Sequence, residues 1–118
     1  DWKDVDHIIR IKEEIGLLAR TIVELDYYSG IISREEALGY FQKMGFMDSF
    51  ESELSILISE MNYFSATQSF IGLIEINSLL LEYKLQIGNS FEIQNFHNLI
   101  LNDGVIPLLD IKKKLFNI

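Results

Sequence analysis

Between Val5 and Leu25, apolar residues recur at every third or fourth position: Val5, Ile8, Ile11, Ile15, Leu18, Ile22 and Leu25. That spacing lays one stripe along an α-helix and does not fit the alternation of a half-buried strand. Lys12, Glu13, Arg20 and Glu24 fall mostly off the stripe. The pattern predicts a first helix over residues 4–28, closed at Ser29-Gly30, where glycine takes a capping conformation. Gly16 either weakens the middle of this helix or permits close packing. No strand alternation persists elsewhere, and Pro107 is the only proline among 118 residues. An all-α chain is therefore expected.

Local signals divide the rest into five further helices. Ser33-Arg34-Glu35-Glu36 reads as a capping box and opens a helix over residues 34–44, with Ala37, Leu38, Phe41 and Met44 on its apolar face and Gly45 as its stop. Asp48-Ser49-Phe50-Glu51 is a second box, opening a helix whose Phe50, Leu54, Leu57, Ile58 and Met61 are expected to face inward. The helix over residues 66–87 is the most apolar. Glu75, Ser78, Glu82 and Gln86 form one polar stripe. Leu73, Ile76, Leu80, Tyr83 and Ile87 form one apolar flank, and Phe70, Ile74, Leu81 and Leu85 the other. A helix apolar on two sides belongs between layers, so this one is expected to be central and largely buried. Asn77 and Lys84 divide the flanks. Asn77 is the expected buried hydrogen-bonding side chain, and Lys84 is expected to snorkel. A short helix over residues 92–102 turns Phe91, Phe96, Leu99 and Ile100 inward. Gly104 stops it, and Pro107 restarts a last helix at its N1 position. Leu108, Leu109, Ile111 and Leu115 continue the apolar face, and Lys112, Lys113 and Lys114 sit where cations offset the helix dipole. The expectation is a compact bundle of about six helices in a single domain, residues 1–118, with short connections.

Composition narrows the function classes. The chain carries 10 Lys and Arg against 18 Asp and Glu, a net charge of −8, which argues against nucleic acid as a partner. Residues 1–60 hold 6 basic and 13 acidic groups and residues 61–118 hold 4 and 5, so the second half is the expected core. No run of 18 uncharged apolar residues exists, so no membrane span is expected. The absence of cysteine excludes disulfides and thiolate zinc, and it favours a soluble cytoplasmic protein over a secreted one. A hydrophobic fraction of 48% predicts either a generous core or a face for a partner, including a second copy.

Few residues suggest chemistry. His7 and His97 stand 90 positions apart, and neither has a second ligand at helical spacing. His7 reads as a surface residue and His97 as a capping or core residue. Glu36 and Glu51 are explained by caps. The pairs Glu13-Glu14, Glu35-Glu36 and Glu51/Glu53 read as solvated faces, not as a general acid and base. Glu24, Asp26, Tyr27 and Tyr28 cluster at a helix end, where a tyrosine corner is expected. Tyr27, Tyr28 and Tyr63 could alternatively line a small-molecule pocket. No catalytic, cofactor-binding or metal-ligating residue is assigned.

The order Ile87-Gly88, Phe91-Glu92, Phe96-His97-Asn98, Leu101, Gly104, Pro107-Leu108 resembles the C-terminal end of a bacterial family known as domain of unknown function 885. Upstream, Ala19-Arg20, Ser33-x-x-Glu36-Ala37, and Ala66-Thr67 with Ile71-Gly72 are similar to further motifs of that family. The resemblance covers about Gly16 to the C-terminus. It implies an α-helical zinc metallopeptidase in which a His-Glu-x-x-His helix and a later glutamate bind the metal. This chain has no His-Glu-x-x-His. The resemblance therefore implies a C-terminal portion without the metal site and with no cofactor of its own, zinc belonging to the parent. It places Arg20, Tyr28 and Ser69 on the side of the cleft. Glu24, Asp26 and Tyr28 stand where the family has an Asp-x-Gly-x-His segment, Ser69 where it has tyrosine, and Tyr63 where it has proline, as in a degenerate relative. The expected function is a non-catalytic scaffold forming one wall of a substrate cleft, its partner being the N-terminal portion of the same protein. The alternative is a stand-alone module that binds a partner helix through helices three and four.

Overall fold

The structure, a computed structural model, describes residues 1–102 and 104–118. Among them are six α-helices, one short 3-10 turn and no strand. The helices are α1 (Trp2–Tyr28), α2 (Arg34–Met44), α3 (Ser49–Met61), α4 (Ser65–Ile87), α5 (Ile93–Leu101) and α6 (Leu108–Phe116), with the turn at Gly88–Ser90. The all-α expectation holds.

The helix ends follow their local chemistry. Ser33 Oγ accepts from the Glu36 N–H at 3.2 Å while the Ser33 N–H donates to Glu36 Oε2 at 2.8 Å. That backbone bond holds the Glu36 carboxyl below its usual range. Asp48 and Glu51 repeat the exchange at 2.8 and 3.0 Å. After α1, Gly30 takes φ +72°, which places the Ile31 N–H 2.9 Å from the Asp26 carbonyl. Gly45 caps α2 at a position with no room for a side chain, because a Cβ there would lie 2.7 Å from the Phe41 carbonyl oxygen. The left-handed step falls on Phe46, at φ +52°. Pro107 precedes α6 by one residue instead of occupying N1. Its ψ of 140° is extended, and its carbonyl takes the Asp110 N–H at 2.9 Å.

The chain divides into two compact units, Asp1–Ile71 and Gly72–Ile118, with the boundary inside α4. In the first unit, Ala19 and Val23 of α1, Ala37 and Phe41 of α2, Met47, and Ile56 of α3 form the core. The expected face of α2 is the one that packs. α1 and α3 pack differently. α1 buries Gly16, Ala19, Thr21, Val23 and Glu24, and its aliphatic stripe stays exposed apart from the half-buried Ile15. α3 reverses the expectation outright. It buries Ser52, Ser55, Ile56 and Ser59 and leaves Phe50, Leu54, Leu57, Ile58 and Met61 exposed. Small side chains at the contacts let helix axes approach closely. The serines can face inward because each hydroxyl finds an acceptor: the Asp48 carbonyl at 2.7 Å, Met47 Sδ at 3.4 Å and Glu24 Oε1 at 3.0 Å.

In the second unit, Leu79 of α4, Phe96 of α5, and Ile111 and Leu115 of α6 form a separate core. Phe91, Leu99 and Ile100 pack around it as expected, and the Tyr83 ring stands 5.6 Å from Phe96. Lys112 pairs with Glu82 at 2.9 Å. The core is thus not confined to the second half of the sequence, because Phe41 anchors its own cluster in the first. The expectation of a largely buried α4 is also corrected. Of its residues only Ala66 and Leu79 are buried. Leu79 joins the second unit's core, with Leu80 and Tyr83 packed against it, and Ile71, Ile74, Leu81 and Leu85 remain exposed. Asn77 is exposed for the same reason. Lys84 reaches back over the Phe91 ring, at 5.7 Å from its centroid.

Candidate functional site

The most highly bonded side chain in the first unit is Glu24, which is fully buried. It extends from the last turns of α1 toward the start of α4. Its Oε1 accepts from Ser59 Oγ at 3.0 Å, the Ala66 N–H at 3.2 Å and Ser65 Oγ at 3.5 Å. Its Oε2 accepts from the Thr67 N–H at 3.0 Å and Thr67 Oγ1 at 3.1 Å.

The reason lies in the sequence at the start of α4. The residue preceding it is Phe64, whose side chain has no acceptor, yet a helix N-terminus carries orphan N–H groups. Asn62 takes one of them, the Ser65 N–H, at 3.1 Å through its carbonyl. Glu24 takes the next two from a distant helix, and the positive end of the helix dipole favours a carboxylate there. Phe64 itself adopts φ +59°, a left-handed conformation that is costly for a bulky residue and held by its surroundings.

One turn further along α1, Tyr28 donates to the Ser59 carbonyl at 2.6 Å. Its ring is in contact with Tyr27, Tyr63 and Phe64 at centroid separations of 5.3, 5.1 and 5.2 Å. Tyr27 donates to Glu60 at 3.1 Å, and Arg34 reaches Glu60 at 3.6 Å and Glu53 at 2.8 Å. The expected tyrosine corner is present, and the rings pack on one another. Burial pushes the Tyr28 phenol up, with the Tyr63, Glu24, Glu60 and Tyr27 groups adding to it. The hydrogen bond to Glu60 is the main cause of the rise at Tyr27.

The fold thus favours neutral tyrosine. Its contribution is complete below about pH 10, the unfolded value, and is lost as pH rises through the raised folded values. The urea midpoint is expected to fall on the alkaline side of about pH 10. Tyr28→Phe is expected to cost about 1 kcal/mol at neutral pH and to flatten that fall. An unchanged alkaline slope would contradict the assignment.

The three residues placed on the cleft side by resemblance do not share one environment. Arg20 is half-buried and lines a cavity of about 180 Å³ with Lys12, Glu13, Gly16, Met47 and Glu51. Tyr28 lies in the aromatic cluster. Ser69 is exposed and donates to the Ser65 carbonyl at 2.9 Å. His7 is a surface residue bonded to Arg10 at 3.2 Å. His97 is also exposed, not in the core, because α5 turns Phe96 inward. Among the described residues no group of three or more His, Asp or Glu side chains could hold a metal ion. The Glu24 carboxylate is occupied by five donors, which suits it to holding α4 and not to moving a proton.

The buried hydrogen-bonding side chain is Glu24, not the expected Asn77. The available signal was the pair Tyr63-Phe64 before a helix, a start with no cap of its own.

No curated protein and no solved structure matches the chain. The family described as "Bacterial protein of unknown function (DUF885)" matches residues 2–115, from the first residue of α1 almost to the end of α6. With nearly its whole length matched, the chain belongs to that bacterial family.

Proposed function

We propose that this chain is a non-catalytic helical scaffold within a larger metallopeptidase-like protein, lending one wall to a substrate cleft. The observation that carries this reading is the outward face of α3. Phe50, Leu54, Leu57, Ile58 and Met61 are all exposed while serines face the core. Contiguous apolar surface of this kind marks a contact with further polypeptide. On this reading the parent's N-terminal portion covers α3 and the open flank of α4, and Arg20, Tyr28 and Ser69 lie toward the cleft. The parent, not this chain, would bind zinc.

The test is hydroxyl-radical footprinting of the chain alone and of a longer polypeptide encoded with its upstream region. Phe50 and Met61 are expected to be labelled in the first and protected in the second. Equal labelling overturns the reading, as does stoichiometric zinc binding with peptidase turnover by the 118-residue chain. Protection by a separate protein instead would favour a stand-alone interaction module acting through α3 and α4. The same exposed face motivates that second reading. Among the described residues no single helix is long and apolar enough to cross a membrane.

A further inference from the structure

Among the described lysines and arginines, only Arg20 and Lys112 are drawn partly out of water. Lys112 is paired with Glu82 at 2.9 Å. The Arg20 guanidinium has no such counterpart, and among the described residues it makes no hydrogen bond and no ion pair. A cation that gives up hydration without gaining a counter-charge is costly to keep. Its position is nevertheless well defined. The guanidinium folds back along α1 over the buried Gly16, where a Cβ would stand 3.9 Å from both terminal nitrogens and 3.5 Å from Met47 Cε. A glycine one turn earlier thus leaves room for a planar group beside the helix. Arg20 lines the cavity of about 180 Å³ between α1, α3 and the segment from Gly45 to Met47.

The acids around this cavity are held away from Arg20. Glu51 Oε2 accepts from the Asp48 N–H at 3.0 Å, and Oε1 faces Lys12 at 3.7 Å. Glu13 lies seven positions before Arg20, about 10 Å away along the helix axis. The remaining wall is apolar, made by Leu54, Ile58 and the Met47 thioether, whose sulfur takes the Ser55 hydroxyl at 3.4 Å. We propose that this cavity binds a monocarboxylate carrying a short aliphatic group. The carboxylate takes the Arg20 fork, which matches it in charge and in geometry. The aliphatic group lies against Leu54, Ile58 and Met47. Lys12 and Arg20 are balanced by Glu13 and Glu51 in the lining, so a single negative charge is accepted and a dianion meets like charge. The volume is below the range of about 300–1,000 Å³ that takes drug-sized ligands. It admits a small free acid or the last residue of a polypeptide, and both offer the same chemistry. The site stands on the geometry of the first unit and not on the cleft reading.

Titration of the ¹⁵N-labelled chain, followed by amide and Arg Nε–H shifts, tests the assignment. With 3-methylbutanoate, saturable shifts are expected at Gly16, Gly45 and the Arg20 side chain, with a Kd on the order of 1 mM. The corresponding amide and inorganic phosphate are expected to give none below about 10 mM. Acetyl-alanyl-leucine separates the two sources: tighter binding than 3-methylbutanoate supports a polypeptide C-terminus, and weaker binding supports a free acid. Arg20→Lys keeps the charge without the fork and should raise Kd about fivefold or more. Arg20→Gln should abolish saturation and leave the urea midpoint unchanged, since no described protein group bonds the guanidinium. Arg10→Gln, exposed on the same helix, should leave Kd unchanged. The proposal is overturned by a chain that shows no saturable shift, by an equal response to the amide or to phosphate, by Arg20→Gln binding like the parent, or by loss of binding with Arg10→Gln. The footprint at Phe50 and Met61 reads residues that do not line this cavity, so either result stands without the other.

Discussion

Glu24→Ala is expected to cost the first unit about 3 kcal/mol or more in urea unfolding followed by circular dichroism. The carboxylate is fully buried and receives five hydrogen bonds. Its removal orphans the Ala66 and Thr67 N–H groups, and each buried unpaired donor costs about 1–3 kcal/mol. The individual losses overlap and do not simply add. Glu24→Gln keeps one acceptor but turns an amide donor toward other donors, so about 2 kcal/mol is expected. Glu13→Ala, exposed on the same helix, should stay within about 0.5 kcal/mol. Amide exchange gives the local readout, since Ala66 and Thr67 should lose protection first. If Glu24→Ala behaved like Glu13→Ala, the tie between α1 and α4 would be absent.

Much of the local structure was legible because it is encoded locally. Both capping boxes, the glycine ends at Gly30 and Gly45, and the α5 inward set around Phe96 depend on neighbours within about one turn. Family membership was legible from the order of motifs between Ala19 and Leu108. What misled was the assumption that the most apolar face of a helix is its inner face. That holds when a chain forms the whole of its core. In α1 and α3 the faces rich in Gly, Ala and Ser pack instead, since their hydroxyls find acceptors at the Asp48 carbonyl, Met47 and Glu24. The aliphatic faces are left open. Glu24 was obscured for a related reason. A glutamate off the apolar stripe reads as solvated, and its partners lie 35 to 43 positions away in sequence. Arg20, Tyr28 and Ser69 were placed by resemblance, and in the structure they stand in three different environments, set by contacts that the local sequence does not encode.

The inverted α3 is the central structural claim, and it predicts opposite outcomes for two neighbouring substitutions. Ser52 is fully buried and its hydroxyl is bonded within α3's own first turn, to the Asp48 carbonyl. Ser52→Leu forces extra methylenes into a close helix contact, an overpacking cost of about 1–3 kcal/mol. Leu57 is 49% exposed, so Leu57→Ser should change stability by no more than about 0.5 kcal/mol and should improve solubility. Were Leu57 a core residue, its truncation would cost about 2–5 kcal/mol, and leucine at Ser52 would add harmless surface. The urea midpoints of these two variants, measured beside the parent chain, decide the matter. A lowered midpoint for Ser52→Leu with an unchanged one for Leu57→Ser is the predicted result, and the reverse order would contradict it.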